Sequence, residues 1–183
     1  MAIMELDAFW AVIAWARKGV DGPETSDGVE EVAERVAERL VELGPEAAVA
    51  FTLRYDQLED ESYTWALWGA AYLMKGGCSD DAFDYFRGWL VAQGRTAWER
   101  AVADPDSLAD LALDPDDDFL ECEDMLSVGD AAFDDEEDFY AALDAARPDK
   151  GEREPELGES WDFDDDAEMR RRYPRLTAIY LED

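Results

Sequence analysis

Residues 64–95 constrain the fold more tightly than any other part of the chain. Trp65, Trp68 and Trp89, three of the seven tryptophans, fall there, together with a Gly76-Gly77 break and a Ser79-Asp80-Asp81 corner. The stretch 62–75 is apolar nearly all round, which places it inside a core and not on a surface. Gly76-Gly77 supplies the left-handed residue that a helix C-terminus needs. Ser79 then caps the next helix, and Asp80 and Asp81 sit in its first turn, where the macrodipole favours carboxylates. That helix, 80–93, carries Phe83, Phe86, Trp89 and Leu90 along one side and stops at Gly94. The spacing thus predicts a central apolar helix pair at about 62–75 and 80–93, with Gly69 and its flanking alanines open to close approach by a neighbouring helix.

The remaining sequence carries helical periodicity almost throughout. Leu6, Phe9, Trp10, Ile13 and Ala16 share one face of a helix over 5–18, whereas Trp15 lies near the opposite face and is expected to be exposed or to meet another part of the fold. A helix over 28–43 buries Val29, Val32, Val36, Leu40 and Leu43. Its outer face holds Glu31, Glu34, Arg35, Glu38 and Arg39, with an i,i+4 pair from Glu31 to Arg35. Pro45 suits the first position of a third helix reaching about residue 58, which buries Val49, Phe51, Leu53, Tyr55 and Leu58. A short helix at 95–103 turns Trp98 inward, and Ser107 to Asp110 has capping-box spacing.

From residue 101 to 146 there is no Lys or Arg, against 17 acids. Phe119, Cys122, Met125 and Leu126 keep helical spacing even so, as do Phe139, Tyr140 and Leu143. Two acidic helices are predicted there, near 116–128 and 134–146. Trp161, Phe163 and the acids 164–166 open a last helix, and 177–181 reads as a short helix or strand. With almost no strand signal elsewhere, the fold class is all-α, a compact multi-helix single domain. Its parts are a helical domain at 1–146, a linker at 147–160, and a C-terminal helix and tail at 161–183 that packs on the domain.

The charge balance bounds the function. Forty-eight acids and sixteen bases leave a net charge of −32, and there is no histidine. Phosphate contacts need clustered Lys and Arg, which argues against direct nucleic-acid binding. Anionic membrane surfaces are disfavoured for the same reason. A basic protein, a polyamine or weakly held divalent cations are the favoured partners. The plain alternative is a host proteome of acidic surfaces, in keeping with three lysines against thirteen arginines. Lack of histidine removes Ser-His-Asp chemistry and imidazole zinc sites. No phosphate-binding glycine loop is present, and no cofactor is expected. Two cysteines outside any CxxC pair, no leader-like N-terminus and no apolar run of about 18 residues predict a cytoplasmic protein.

Two candidate sites stand out. The first is the corner formed by Cys78, Ser79, Asp80, Asp81 and Arg87. A cysteine at a helix N-terminus can be activated, but the neighbouring acids oppose this, and Arg87 is expected to pair with Asp84 or with the Asp80/Asp81 corner. The second is an acidic partner face of Asp116, Asp117, Asp118, Glu121, Asp134, Asp135 and Glu136, with Phe119 and Phe133 as exposed apolar points. The D-x-D-x-D run from Asp114 begins like a calcium loop. However, Phe119 stands where glycine is needed and Met125 where the bidentate Glu belongs, so no metal site is assigned.

The W-x-L-W-x-A-A-Y-L block with its Gly-Gly-Cys-Ser-Asp-Asp corner, together with Phe9-Trp10 and the Asp104-Pro-Asp-Ser-Leu108 motif, resembles the bacterial family called domain of unknown function 4240. The resemblance covers roughly residues 9–108, the acidic stretch looks like the family's variable C-terminal half, and Tyr173-Pro-Arg-Leu176 resembles its closing motif. It implies a soluble, mainly actinobacterial, cytoplasmic protein and no particular activity. The expected function is a non-catalytic binding or regulatory module that engages a basic partner, of immunity, inhibitor or nucleic-acid-mimic type. The alternative is a small-ligand protein or enzyme with a pocket at the Cys78 corner.

Overall fold

The computed structural model describes residues 2–115, 119–147 and 157–181. Among them the chain forms nine α-helices and three 3₁₀ turns and no strand, so the protein is an all-α single domain. No helix among the described residues is long and apolar enough to cross a membrane.

The first helices follow the periodicity closely. Helix α1 (Leu6–Arg17) buries Phe9, Trp10, Val12, Ile13 and Ala16. Helix α2 (Ser26–Leu43) starts two residues before the periodic run because the Thr25 hydroxyl accepts the Gly28 N–H at 3.2 Å. Leu43, expected inside, is 43% exposed, since α2 ends there and its last turn overhangs the core. Helix α3 (Pro45–Ser62) buries all five expected residues and runs past 58. The Ser62 hydroxyl donates back to the Leu58 carbonyl at 2.8 Å, so Ser62 closes α3 and does not open the next helix. That role falls to Thr64, which caps α4 (Trp65–Lys75) through the Leu67 N–H. Gly76 then adopts φ 64°, the left-handed value that terminates α4.

Ser79 accepts the Ala82 N–H at 3.2 Å and opens α5 (Asp80–Ala92). Helix α6 (Arg95–Ala103) follows and buries Trp98. The rings of Phe9 and Phe51 stack with centroids 4.4 Å apart, tying α1 to α3. Trp89, Phe83 and Phe86 are wholly buried in α5. Full burial of side chains this large contributes about 1.5–3 kcal/mol each.

The acidic half departs from the periodicity. Residues 105–111 form a 3₁₀ helix capped by the Asp104 carboxylate, not by Ser107. No α-helix occupies the described part of 116–128. Residues 119–123 instead lie along α5, where the Cys122 N–H donates to the Tyr85 carbonyl at 2.9 Å. A methyl at residue 88 would fall 2.4 Å from the Cys122 carbonyl oxygen, so Gly88 is what admits the segment. Leu120 and Cys122 are buried while Phe119 is exposed and Glu121 and Glu123 are less covered, a period of two within an apparent period of three to four. Short 3₁₀ turns follow at Asp124–Leu126 and Asp130–Ala132. The second acidic helix is present as α7 (Glu136–Ala146), capped by Asp135.

Of the linker expected at 147–160, residues 148–156 lie outside the described residues. Arg147 pairs with Asp56 at 3.3 Å, and the Leu157 carbonyl accepts from the Trp65 N–H at 2.9 Å. Helices α8 (Asp166–Arg172) and α9 (Pro174–Tyr180) complete the chain and bury Met169, Tyr173 and Leu176. The buried Asp106 carboxylate accepts the N–H groups of Arg175 and Leu176 at 3.0 and 2.9 Å and thereby caps α9. The Asp-Pro-Asp-Ser-Leu and Tyr-Pro-Arg-Leu motifs, about seventy residues apart in sequence, are thus one contact in space.

Gly69 is approached by aromatic rings instead of a helix. A methyl there would lie 2.6 Å from Cζ2 of Trp161 and from the Tyr173 hydroxyl, which itself donates to the Ala66 carbonyl at 2.6 Å. Gly69→Ala is therefore expected to lower stability by about 1–3 kcal/mol, read from urea unfolding. An unchanged midpoint would show that the C-terminal segment yields without cost.

Candidate functional site

The Cys78 corner lies at the surface, with Ser79, Asp80 and Asp81 exposed, and makes contacts of its own. The Cys78 carbonyl accepts the Trp68 indole N–H at 3.0 Å, and Asp80 accepts the Tyr63 hydroxyl at 3.2 Å. Trp65, Trp68 and Phe83 form a ladder, with centroids 5.4 and 4.9 Å apart and near-parallel planes. Burial pushes the Cys78 thiol up to about 11; Lys75 acts against this, and Glu121 and Asp84 reinforce it. The thiol is therefore protonated at neutral pH, held so mainly by burial and not by Asp80 and Asp81. Cys122, buried in the core, is raised to about 11 chiefly by the same desolvation.

Arg87 makes no ion pair with Asp80 or Asp81 among the described residues. It pairs with Asp84, as expected, and also with Glu59 of α3 at 3.0 Å, while Nη1 donates to the Glu59 carbonyl at 2.8 Å. Its guanidinium lies 4.9 Å from the ring centroids of both Tyr63 and Phe83. Burial raises the Glu59 carboxyl to about 7, with Arg87 opposing. The buried Tyr55 hydroxyl faces the same carboxylate but is not aligned as a hydrogen bond. Burial and that carboxylate hold the phenol well above its usual value. The Tyr55 hydroxyl, Glu59 Oε1 and Arg87 Nε are all buried without a hydrogen-bond partner among the described residues. Glu59 carries no sequence signal as Arg87's partner, because the two are brought together only by the packing of α3 on α5.

Four of the seven residues of the expected acidic face are described. Asp116, Asp117 and Asp118 lie outside the described residues. Glu121 is not a free surface acid: it binds Lys75 at 2.7 Å, and the Lys75 side chain is only 8% exposed. Asp134, Asp135 and Glu136 are exposed, although Asp135 also caps α7. Phe119 is exposed as expected, whereas Phe133 is half-buried, edge-on to Phe139 at 5.4 Å. Phe133 packs inward because its partner ring sits on the buried face of α7.

A second carboxylate-rich surface, this one concave, lies elsewhere, across α1 and α2. It is a shallow, open groove of about 820 Å³ lined by Trp15 of α1 and by Asp27, Glu30, Glu31, Glu34, Arg35, Glu38 and Glu42 of α2. Steps of three and four residues keep those acids on one helix face. Trp15 stays 39% exposed, and the Arg35 and Arg39 guanidinium carbons lie 5.5 and 5.4 Å from its ring centroid. Arg35 also pairs with Glu31 at 3.8 Å and Arg39 with Glu42 at 2.6 Å. Asp27, Glu30, Glu34 and Glu38 make no side-chain ion pair or hydrogen bond among the described residues. Trp15 and the outer acids of α2 are legible as exposed in the sequence; that they meet in one groove depends on how α1 docks. Among the described residues no cluster of three or more Cys, Asp or Glu is arranged to hold a metal ion.

Fold and surface together define an acidic, all-α protein built around a tryptophan-rich helix pair. The chain belongs to the family described as Protein of unknown function (DUF4240), whose profile matches residues 4–135. The matched span reaches from the start of α1 to the cap of α7, and so includes the segment laid over Gly88 as well as the tryptophan-rich block. No curated protein and no solved structure matches the chain.

Proposed function

We propose that this protein is a non-catalytic binding module whose acidic surface engages a basic protein. The observation that carries this reading is the groove on α2, where six carboxylates and Arg35 line a surface beside the partly exposed Trp15. Tryptophan is among the residues that most often anchor protein interfaces. A net charge of −32 would accelerate encounter with a basic partner and make association fall with salt. The Asp130–Ala132 turn packs against α2, and exposed Asp134, Asp135 and Glu136 follow it directly, so they would add to the attracting field. Inhibition of a basic enzyme and mimicry of nucleic acid are both forms of this function.

The test is affinity capture from host lysate at low and high salt, with each captured protein identified. Wild type is compared with Glu30→Gln/Glu34→Gln/Glu38→Gln and with Asp134→Asn/Asp135→Asn/Glu136→Gln. The expected result is an identified basic protein held at low salt, released at high salt and lost in the α2 variant. Capture that ignores salt and both sets of substitutions, or no capture at all, would overturn the reading.

A further inference from the structure

Resting on that reading, we infer that the α1–α2 groove selects arginine over lysine, so its occupant is an arginine-bearing segment of a basic protein. The groove already shows what seats against Trp15: two guanidinium groups, those of Arg35 and Arg39, supplied by the chain itself. Each is also held by a carboxylate of the same helix, Glu31 or Glu42. A planar guanidinium stacks on an indole and still donates in-plane hydrogen bonds to carboxylates, whereas an ammonium is a compact, strongly hydrated charge. The chain's own arginines do not fill the surface, because Trp15 remains 39% exposed and the groove extends beyond it. Glu30, Glu34 and Glu38 are left to receive an incoming cation, with charge complementarity deciding its sign and Trp15 deciding its kind. Bidentate carboxylate contacts add to the same preference. Val41, 53% exposed on the same helix, offers an apolar point for the segment's flank.

Calorimetry with two short peptides of equal charge, one alternating arginine with alanine and one alternating lysine with alanine, tests this. The arginine peptide should bind wild type about fivefold tighter, the scale of an exposed cation–π contact. Trp15→Leu should erase the preference while leaving weak, salt-sensitive binding of both peptides, and Trp15→Phe should keep part of it. Trp15 is at the surface, so these variants retain the core, which circular dichroism checks. Equal binding of the two peptides, or a preference unchanged in Trp15→Leu, overturns the inference and leaves the acidic-binder reading standing. If neither peptide binds wild type at low salt, both are overturned.

Discussion

At about pH 8, where Glu59 is ionised, Arg87→Ala is expected to lower the unfolding free energy by about 3–5 kcal/mol, the cost of removing one partner from a buried ion pair. The side chain is 6% exposed and joins two helices through Glu59 and Asp84. It also donates to the Glu59 carbonyl and lies against Tyr63 and Phe83. Alanine leaves the Glu59 carboxyl, itself poorly exposed, without a cation. Arg87→Lys keeps the charge but loses the planar fork, so it should recover only part of the loss. Urea unfolding of the three proteins measures this directly. A loss below about 1 kcal/mol for Arg87→Ala would mark the contact as no stronger than a surface pair and contradict the account.

The second large effect is a pH dependence centred on Glu59. Its carboxyl ordinarily titrates at 4.5, and in the folded protein it is raised to about 7 by burial, with Arg87 opposing and Asp84 and Asp56 adding to the rise. Tyr55 faces it from the same helix, and Cys122 lies close enough to bear on that phenol. Between those two values the folded protein holds a proton that the unfolded chain has released. Stability from this group is therefore full below 4.5 and is lost as pH rises through about 7, the reverse of a salt-bridged surface acid. The rise corresponds to about 3 kcal/mol over that window. The rest of the chain's carboxylates also repel one another more as pH rises, so the diagnostic quantity is the difference from Glu59→Gln. Unfolding curves of both proteins at about pH 5 and about pH 8 should show wild type losing more stability than the variant. Parallel pH profiles would show that Glu59 titrates normally.

Much of the fold was legible because local chemistry fixed it. Gly76, Ser79 and Gly94 place their helix ends by capping and backbone conformation, and each acts on neighbours only a few residues away. Glycines also mark close approaches, but not what approaches: Gly69 reads as open to a helix and receives Trp161, Phe163 and Tyr173 instead. Segment 119–126 misled for a related reason. Cys122, Met125 and Leu126 satisfy helical spacing, while the burial of Leu120 beside Cys122 follows the alternation of an extended segment hydrogen-bonded to Tyr85. The candidate site divides in the same way. Exposure of Trp15 and of Glu31, Glu34 and Glu38 follows from helix geometry alone. Glu59 beside Arg87, Lys75 beside Glu121 and Trp15 beneath Arg35 and Arg39 are all pairings between distant elements. Only tertiary packing creates them.

The most direct test of the acidic groove as the binding surface is a spectrum of the seven indole N–H groups. Uniformly ¹⁵N-labelled protein is titrated with the arginine peptide, each resonance being assigned by single Trp→Phe substitution. The account predicts that the Trp15 indole shifts in a saturable way while Trp89 and Trp98, buried in the core, hold their positions. Movement of Trp65 and Trp68 with Trp15 unmoved would contradict it and return the Cys78 corner to the centre of attention.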